Sequence, residues 1–296
     1  MKFYIVDAFA DNIFGGNPAG VVMIEGGEYP PFDIMLKTAA ELGFSETAFV
    51  KKLGSGRYEL KFMTPTDEVD LCGHATIASF SIIGNASQIS ESTSNKYTGI
   101  TKAGEINIEV SKDLIMMDMV DPQIIREIRD EYLWNEIRIT MGLVAKKNDI
   151  SDSIYPAIVS TGLPDILLPV DTIDELNSIN PDFDALSQLS KAYKAVGVHA
   201  FTVDQSDSGQ SIHCRNFAPL YGIPEEAATG TANGALTYYL KTKRIIKDNE
   251  QNTIMQGESM GRPSRIISVC KEDEKGNTKV KVGGSTATLA EGNIYI

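Results

Sequence analysis

LCGHATIAS (residues 71–79) returns in altered form as ATGTANGAL (228–236), each a short distance after a Pro that closes an extended segment, Thr64-Pro65 and Ala218-Pro219. A Gly among small residues, where a strand gives way to a helix, leaves backbone N–H groups free at the positive end of that helix, an arrangement suited to an anion. Two such loops, one per half, suggest one shared cleft. Other landmarks recur in the same order: Gly16 with Gly162, Phe32 with Phe183, Ala48 with Ala200, Pro65 with Pro219, and Gly73 with Gly230. Their offsets grow steadily, 146, 151, 152, 154 and 157, as an internal duplication that has drifted would show.

Composition sets the outer limits. The 296 residues, 42% hydrophobic and 23% charged, suffice for two domains with their own cores. Forty acidic against 27 basic residues give a net charge of −13, which repels a phosphate backbone or an anionic membrane, so nucleic acid and membrane are not expected partners. The opening MKFYIVDAFADN has no sustained apolar core or cleavage site, and no stretch approaches a membrane helix, so the expectation is a cytoplasmic protein. Cys72, Cys214 and Cys270 form no CxxC pair and His74, His199 and His213 no HExxH spacing, so neither disulfide framework nor metal site is expected. Cys72 with His74 lacks a matching second pair of ligands. With no P-loop and no GxGxxG opening a helix, the working expectation is a protein without cofactor.

Alternation and turn residues predict strands at KFYIVDAF, AGVVMI, ETAFVKK, YELKFMTP, INIEVS and LIMMDM in the first half, and at AIVST, DILLPV, HAFTV and SIHCRNF in the second. A helix is expected from Gly73, apolar around most of its surface, and another from about Gly230 to Leu240. FDIMLKTAAELGF reads as helical, EIRDEYLWNEIRITMGL (127–143) as an added helix, NASQISESTSNKYT (85–98) as an exposed loop and KEDEKGNTK (271–279) as a hairpin turn. The domain boundary is expected near Val120-Asp121-Pro122, giving domains 1–120 and 121–296, the last strand crossing back to the first.

GNPAGVV, SETAFV (45–50), TPTDEVDLCGHAT (64–76), RNFAPLYGIPEEAATGTANG (215–234) and QGESMGRPS (256–264) together resemble the phenazine biosynthesis protein PhzF family, nearly end to end. The resemblance implies the α+β diaminopimelate epimerase-like fold: two pseudo-symmetric domains, each a curled, mostly antiparallel sheet around a central helix, with the active site between them. It also implies a homodimer, which nothing in the sequence itself fixes.

Glu46 enters an apolar strand, and a carboxylate taken out of water can take and return a proton near neutral pH. From the residues alone the simpler reading is an edge-strand charge. The resemblance reverses it, because the family's catalytic Glu falls on this motif. By the alignment of Ala48 with Ala200 its counterpart is Val198, leaving one base rather than two. Epimerases of this fold use two cysteines, one per loop; here Cys72 stands in the first and Thr229, far too weak an acid, in the second. Cys72 then reads as a small buried hydrophobe.

His74 could orient substrate, relay a proton or support the helix, and the resemblance favours an active-site role. The family's usual Asp-Pro-Ala-Thr-Gly-Ser run is replaced here by Glu226 to Thr231, keeping the functional groups but changing reach and shape. The expectation is an isomerase of a small, unsaturated carboxylate, with Glu46, His74, Glu226 and Thr231 catalytic. Cys72, Gly73 and Ala75, and Gly230 and Ala232, would bind that carboxylate or steady an enolate-like intermediate. QGESMGRPS is assigned no catalytic role, Gly261-Arg262-Pro263 reading as a turn. The alternatives are an amino-acid or hydroxy-acid racemase, and a non-catalytic carboxylate-binding protein.

Overall fold

A computed structural model describes residues 1–86, 94–146, 154–206 and 209–296. The chain divides into two compact units, Met1–Asp118 with Gly283–Ile296, and Met119–Val282. In the first, strands Lys2–Ala8 and Asn17–Ile24 pair antiparallel, then helix α1 (Phe32–Leu42) carries the chain to Thr47–Gly54, parallel to Asn17–Ile24. Gly43, in the left-handed region at φ 72°, ends α1 and turns the chain toward Glu46. Arg57–Met63 returns antiparallel, and helix α2 (Gly73–Ala86) connects it to Asn95–Thr101, which lies parallel to it. Gly104–Val110 and Ile115–Asp118 continue antiparallel. The late strand Thr286–Asn293 pairs with Lys2–Ala8 along its whole length.

The second unit repeats this succession. Ala157–Ser160 and Pro164–Pro169 pair antiparallel; after α4 (Ile173–Ser178) and α5 (Phe183–Tyr193), Val198–Ser206 lies parallel to Pro164–Pro169. Gly209–Ala218 returns antiparallel, and α6 (Gly230–Thr242) leads to Gln251–Gln256, parallel to Gly209–Ala218. Ser264–Glu272 then pairs antiparallel with that strand. Gln123–Glu127, ahead of α3 (Glu131–Thr140), pairs with Ala157–Ser160 in the place Thr286–Asn293 takes in the first unit.

The central helices differ from the others in burial. In α2 every residue from His74 to Gly84 is buried, as suits a helix covered by sheet on several sides. α6 is buried from Gly230 through Leu240 apart from Thr231 and Tyr238. The outer helices are amphipathic: Met35 and Ala39 of α1 join Val22, Phe49 and Met63 in one core, while Trp134, Ile137, Leu186 and Leu189 of α3 and α5 join Ile166, Leu168, Val198 and Ala200 in another. Because alternate strand residues point to opposite faces, Asp165, Leu167 and His199 lie on the face toward α6. No helix among the described residues is long and apolar enough to cross a membrane.

Three expectations need correction. The stretch 127–143 is not helical throughout: Glu127 ends a strand, and Asp130 starts α3 by accepting a hydrogen bond from the Leu133 N–H at 3.0 Å. Of the loop read at 85–98, residues 95–98 belong to the strand Asn95–Thr101, while 87–93 lie outside the described residues.

The third is the counterpart of Glu46. Val21 is opposite Ala48 and Leu167 opposite His199; Thr47 is opposite Met63 and Val198 opposite Phe217. Both pairings equate Ala48 with His199, so Glu46 corresponds to Gly197 rather than Val198. A Cβ on Gly197 would stand 1.9 Å from the Phe217 carbonyl oxygen, so the backbones approach too closely there for any side chain.

Candidate active site

The first loop gathers a compact polar group on buried backbone. His74 lies in the opening turn of α2, 3% exposed, and its two ring nitrogens face different partners. On one side Asn17 Nδ2 lies 3.3 Å and Cys72 Sγ 3.4 Å from Nδ1; on the other Glu46 Oε2 lies 3.3 Å and Ser45 Oγ 3.5 Å from Nε2. With the Asn17 amide nitrogen turned to the ring, Nδ1 accepts, which places the proton of the neutral imidazole on Nε2, toward Glu46. Burial holds the His74 pKa below the ordinary value, and the Glu46 charge offsets this only in part. The ring therefore turns a neutral N–H edge toward the Glu46 carboxylate, 3.3 Å away.

Glu46 is mostly covered, its side chain 14% exposed, and its Oε2 is buried without a well-aligned hydrogen bond. One donor atom each of Glu46, Cys72 and His74 lies within 4.8 Å of the others. Cys72 sits nearest Nδ1 and Glu46 faces Nε2, so the imidazole stands between them as a proton relay would require. Cys72 is buried as expected, but its sulfur meets the imidazole rather than an apolar wall. Gly73 opens α2, and Ala75 is fully buried behind His74.

The second loop is braced from below. Glu226 ends the strand Ile223–Glu226, and its Oε2 accepts a 2.5 Å hydrogen bond from the Thr229 hydroxyl. Thr229, the N-cap of α6, thus spends its hydroxyl on Glu226 and makes no side-chain capping bond. Fully buried Gln256 ties the loop together: its Oε1 accepts from the Thr229 N–H and Asn233 Nδ2, and its Nε2 donates to the Glu226 carbonyl and Thr229 Oγ1. Gly257, at φ 76°, lets the chain turn there; a Cβ would stand 2.7 Å from the Ala227 carbonyl oxygen. Thr231 accepts at its carbonyl from the Thr161 hydroxyl at 2.8 Å, and Gly230 and Ala232 are buried in the first turn of α6.

The structure thus places Glu46, Cys72, His74, Gly73 and Ala75 in one group, and Glu226, Gly230, Thr231 and Ala232 in another. Asn17 and Ser45 in the first group, and Gln256 and Asn233 in the second, were not read as site residues. Asn17 stood inside GNPAGVV and Gln256 opened QGESMGRPS; their signal was a polar side chain beside a Gly in a quoted motif. All three cysteines are buried, and none is joined in a disulfide.

The model of the phenazine biosynthesis-like protein family matches residues 6–292. An uncharacterised isomerase of Clostridium acetobutylicum is 34% identical, covering all of this chain and 98% of its own. The trans-2,3-dihydro-3-hydroxyanthranilate isomerase of Pseudomonas fluorescens is 28% identical over all of this chain and 99% of its own. Among solved structures, the Bacillus anthracis phenazine biosynthesis protein of the PhzF family matches with a TM-score of 0.85 at 24% identity, covering 100% and 99% of the two chains. A probable proline racemase of Agrobacterium radiobacter matches with a TM-score of 0.63 at 11% identity, covering 100% and 93%, which extends the likeness of fold to the epimerase-like proteins. From residue 6 to residue 292, then, this chain belongs to the phenazine biosynthesis-like protein family, with the epimerase-like α+β fold, and is an isomerase.

Proposed function

We propose that the protein shifts a proton within a small unsaturated carboxylate, with Glu46 as the acid and base. The observation that carries this reading is the buried Oε2 of Glu46, 3.3 Å from His74 Nε2 and without an aligned partner. Glu46 removes a proton from one carbon, the C–H electron pair enters the adjacent π system, and the double bond moves along. The same carboxyl returns the proton to a carbon further along on the same face, so Glu46 ends as it began. His74, neutral and with its Nε2 edge turned toward Glu46, aims the carboxylate and steadies it between the steps. The substrate's carboxylate is the anion suited to backbone N–H groups at a helix start.

Exchange by two thiols, as in an epimerase, lacks its second acid, since Thr229 donates its hydroxyl to Glu226 instead. The test is proton NMR in D₂O with trans-2,3-dihydro-3-hydroxyanthranilate, the compound in the name of the Pseudomonas fluorescens relative, and a panel of unsaturated and amino carboxylates. The wild type should move the double bond and take up deuterium, and Glu46→Gln should slow this by about 10² or more. Full activity in Glu46→Gln would remove Glu46 as the base, and silence of both proteins across the panel would count against proton transfer.

A further inference from the structure

Asp165 stands where nothing in the proposed reaction uses it. The carboxyl is 1% exposed, on the face of its strand toward α6, and among the described residues neither oxygen finds a well-aligned hydrogen-bond partner. Its place in the duplication is informative. Thr47 lies opposite Gly20, so Glu46 neighbours Ala19; Val198 lies opposite Ile166, so Gly197 neighbours Asp165. Ala19 corresponds to Asp165 and Glu46 to Gly197. Each unit therefore carries one carboxyl at this point of its sheet: the first just ahead of the third strand of the succession, and the second, where Gly197 admits no side chain, on the strand beside it.

The surroundings decide which form this carboxyl takes. Burial, and then the negative charge of Glu226, push the Asp165 pKa up to about 8, with the Gly197 backbone N–H pulling weakly the other way. The neighbouring strand Ala157–Ser160 carries no titratable side chain. On Val198–Ser206 the nearest is His199, which burial holds neutral, its pKa lowered to about 4. In α6 the titratable side chains begin at Tyr238, about two turns beyond Gly230. Of the charged groups around it, Glu226 is thus the anion whose field acts on Asp165.

We propose that Asp165 is a positioning residue that works as a neutral acid: protonated, it leaves the second Gly loop able to accept the substrate's carboxylate beside Glu226, and ionised, it closes that loop to anions. This rests on the isomerase reading for its substrate class. It makes the loop's affinity for a carboxylate fall as the pH rises, with Asp165→Asn, which cannot ionise, as the form locked open.

Two measurements decide it. Infrared difference spectra of the whole protein, taken from about pH 6 to about pH 10, should show a protonated carboxyl at neutral pH that ionises as the pH rises past 8 and is missing in Asp165→Asn. In Glu226→Gln, with the neighbouring charge gone, the same carboxyl should ionise at lower pH. Second, KM for trans-2,3-dihydro-3-hydroxyanthranilate should rise about tenfold across that range in the wild type, with kcat less affected, and stay flat in Asp165→Asn. Absence of the neutral-pH carboxyl signal, or its survival in Asp165→Asn, overturns the proposal, as does an unchanged KM profile in Asp165→Asn. Should the compound not be turned over at all, the isomerase reading fails on that substrate, while the infrared arm still decides the state of Asp165.

Discussion

At the scale of single residues, burial sets the chemistry more than sequence neighbourhood does. His199 and Asp165 lie on the same face of the second unit's sheet and are both kept uncharged, yet they tilt stability in opposite directions with pH. The His199 pKa is lowered to about 4 from an ordinary 6.5, so the unfolded chain binds that proton more readily; stability is complete above about 6.5 and is lost as the pH falls toward 4. The Asp165 pKa is raised to about 8 from 3.8, so its stability is complete below about 4 and is lost as the pH rises toward 8. Between about 6.5 and 8 the Asp165 slope is unopposed by His199. Urea unfolding across this window should find Asp165→Asn more stable than the wild type near neutral pH, by an amount on the order of a few kcal/mol, with the two converging at acid pH. A constant difference at every pH would mean that the carboxyl is ionised in the folded protein. Glu46→Gln likewise removes a buried, uncompensated oxygen, and should cost activity without costing stability by the same measurement.

At the scale of elements, the two Gly loops were legible because they combine features that few other local structures need: a Pro-closed strand, small residues, and then a helix apolar all round. What pairs with what was not legible. Ala48 with Ala200 is the natural match by eye, and only the strand register, which no single sequence displays, moves the alignment by one residue and replaces Val198 with Gly197. Gln256 escaped for a related reason, since its partners Thr229, Asn233 and Glu226 lie 23 to 30 residues earlier and meet it through the parallel pairing of Gln251–Gln256 with Gly209–Ala218. Asp165 opens the predicted strand DILLPV, and nothing in that stretch signals that the strand, which begins at Pro164, buries it. Removing Gln256 leaves Asn233 and the Glu226 carbonyl to find new partners in a closed space. Gln256→Ala should therefore lower stability by about 2–4 kcal/mol in chemical denaturation, and raise KM more than it lowers kcat. An equal loss in both would place Gln256 in the chemical step.

At the scale of the molecule, the chain leaves its first unit at Asp118 and rejoins it at Gly283. The return has a physical purpose that the strand pairing makes plain. Lys2–Ala8 would otherwise be an edge strand, with a row of unpaired backbone groups beside buried Val6, Asp7 and Ala8; Thr286–Asn293 covers that edge from Lys2 opposite Asn293 to Ala8 opposite Thr286. Further ties follow, the Met1 amino group donating to the Ile294 carbonyl and the Ala10 N–H to the Ser285 carbonyl. Asn17, whose amide meets His74, begins the strand on the other side of Lys2–Ala8. The last strand therefore supports the group around Glu46 at one remove. A chain ending at Ser285 should retain the strands and helices of the second unit but lose protection of the amides of Lys2–Ala8 and Asn17–Ile24 in hydrogen exchange, and with it the isomerisation. Were those amides as well protected as in the full chain, the closing strand would be dispensable to the first unit, and the ordering of Asn17 and His74 would have to come from α2 and the neighbouring strands alone.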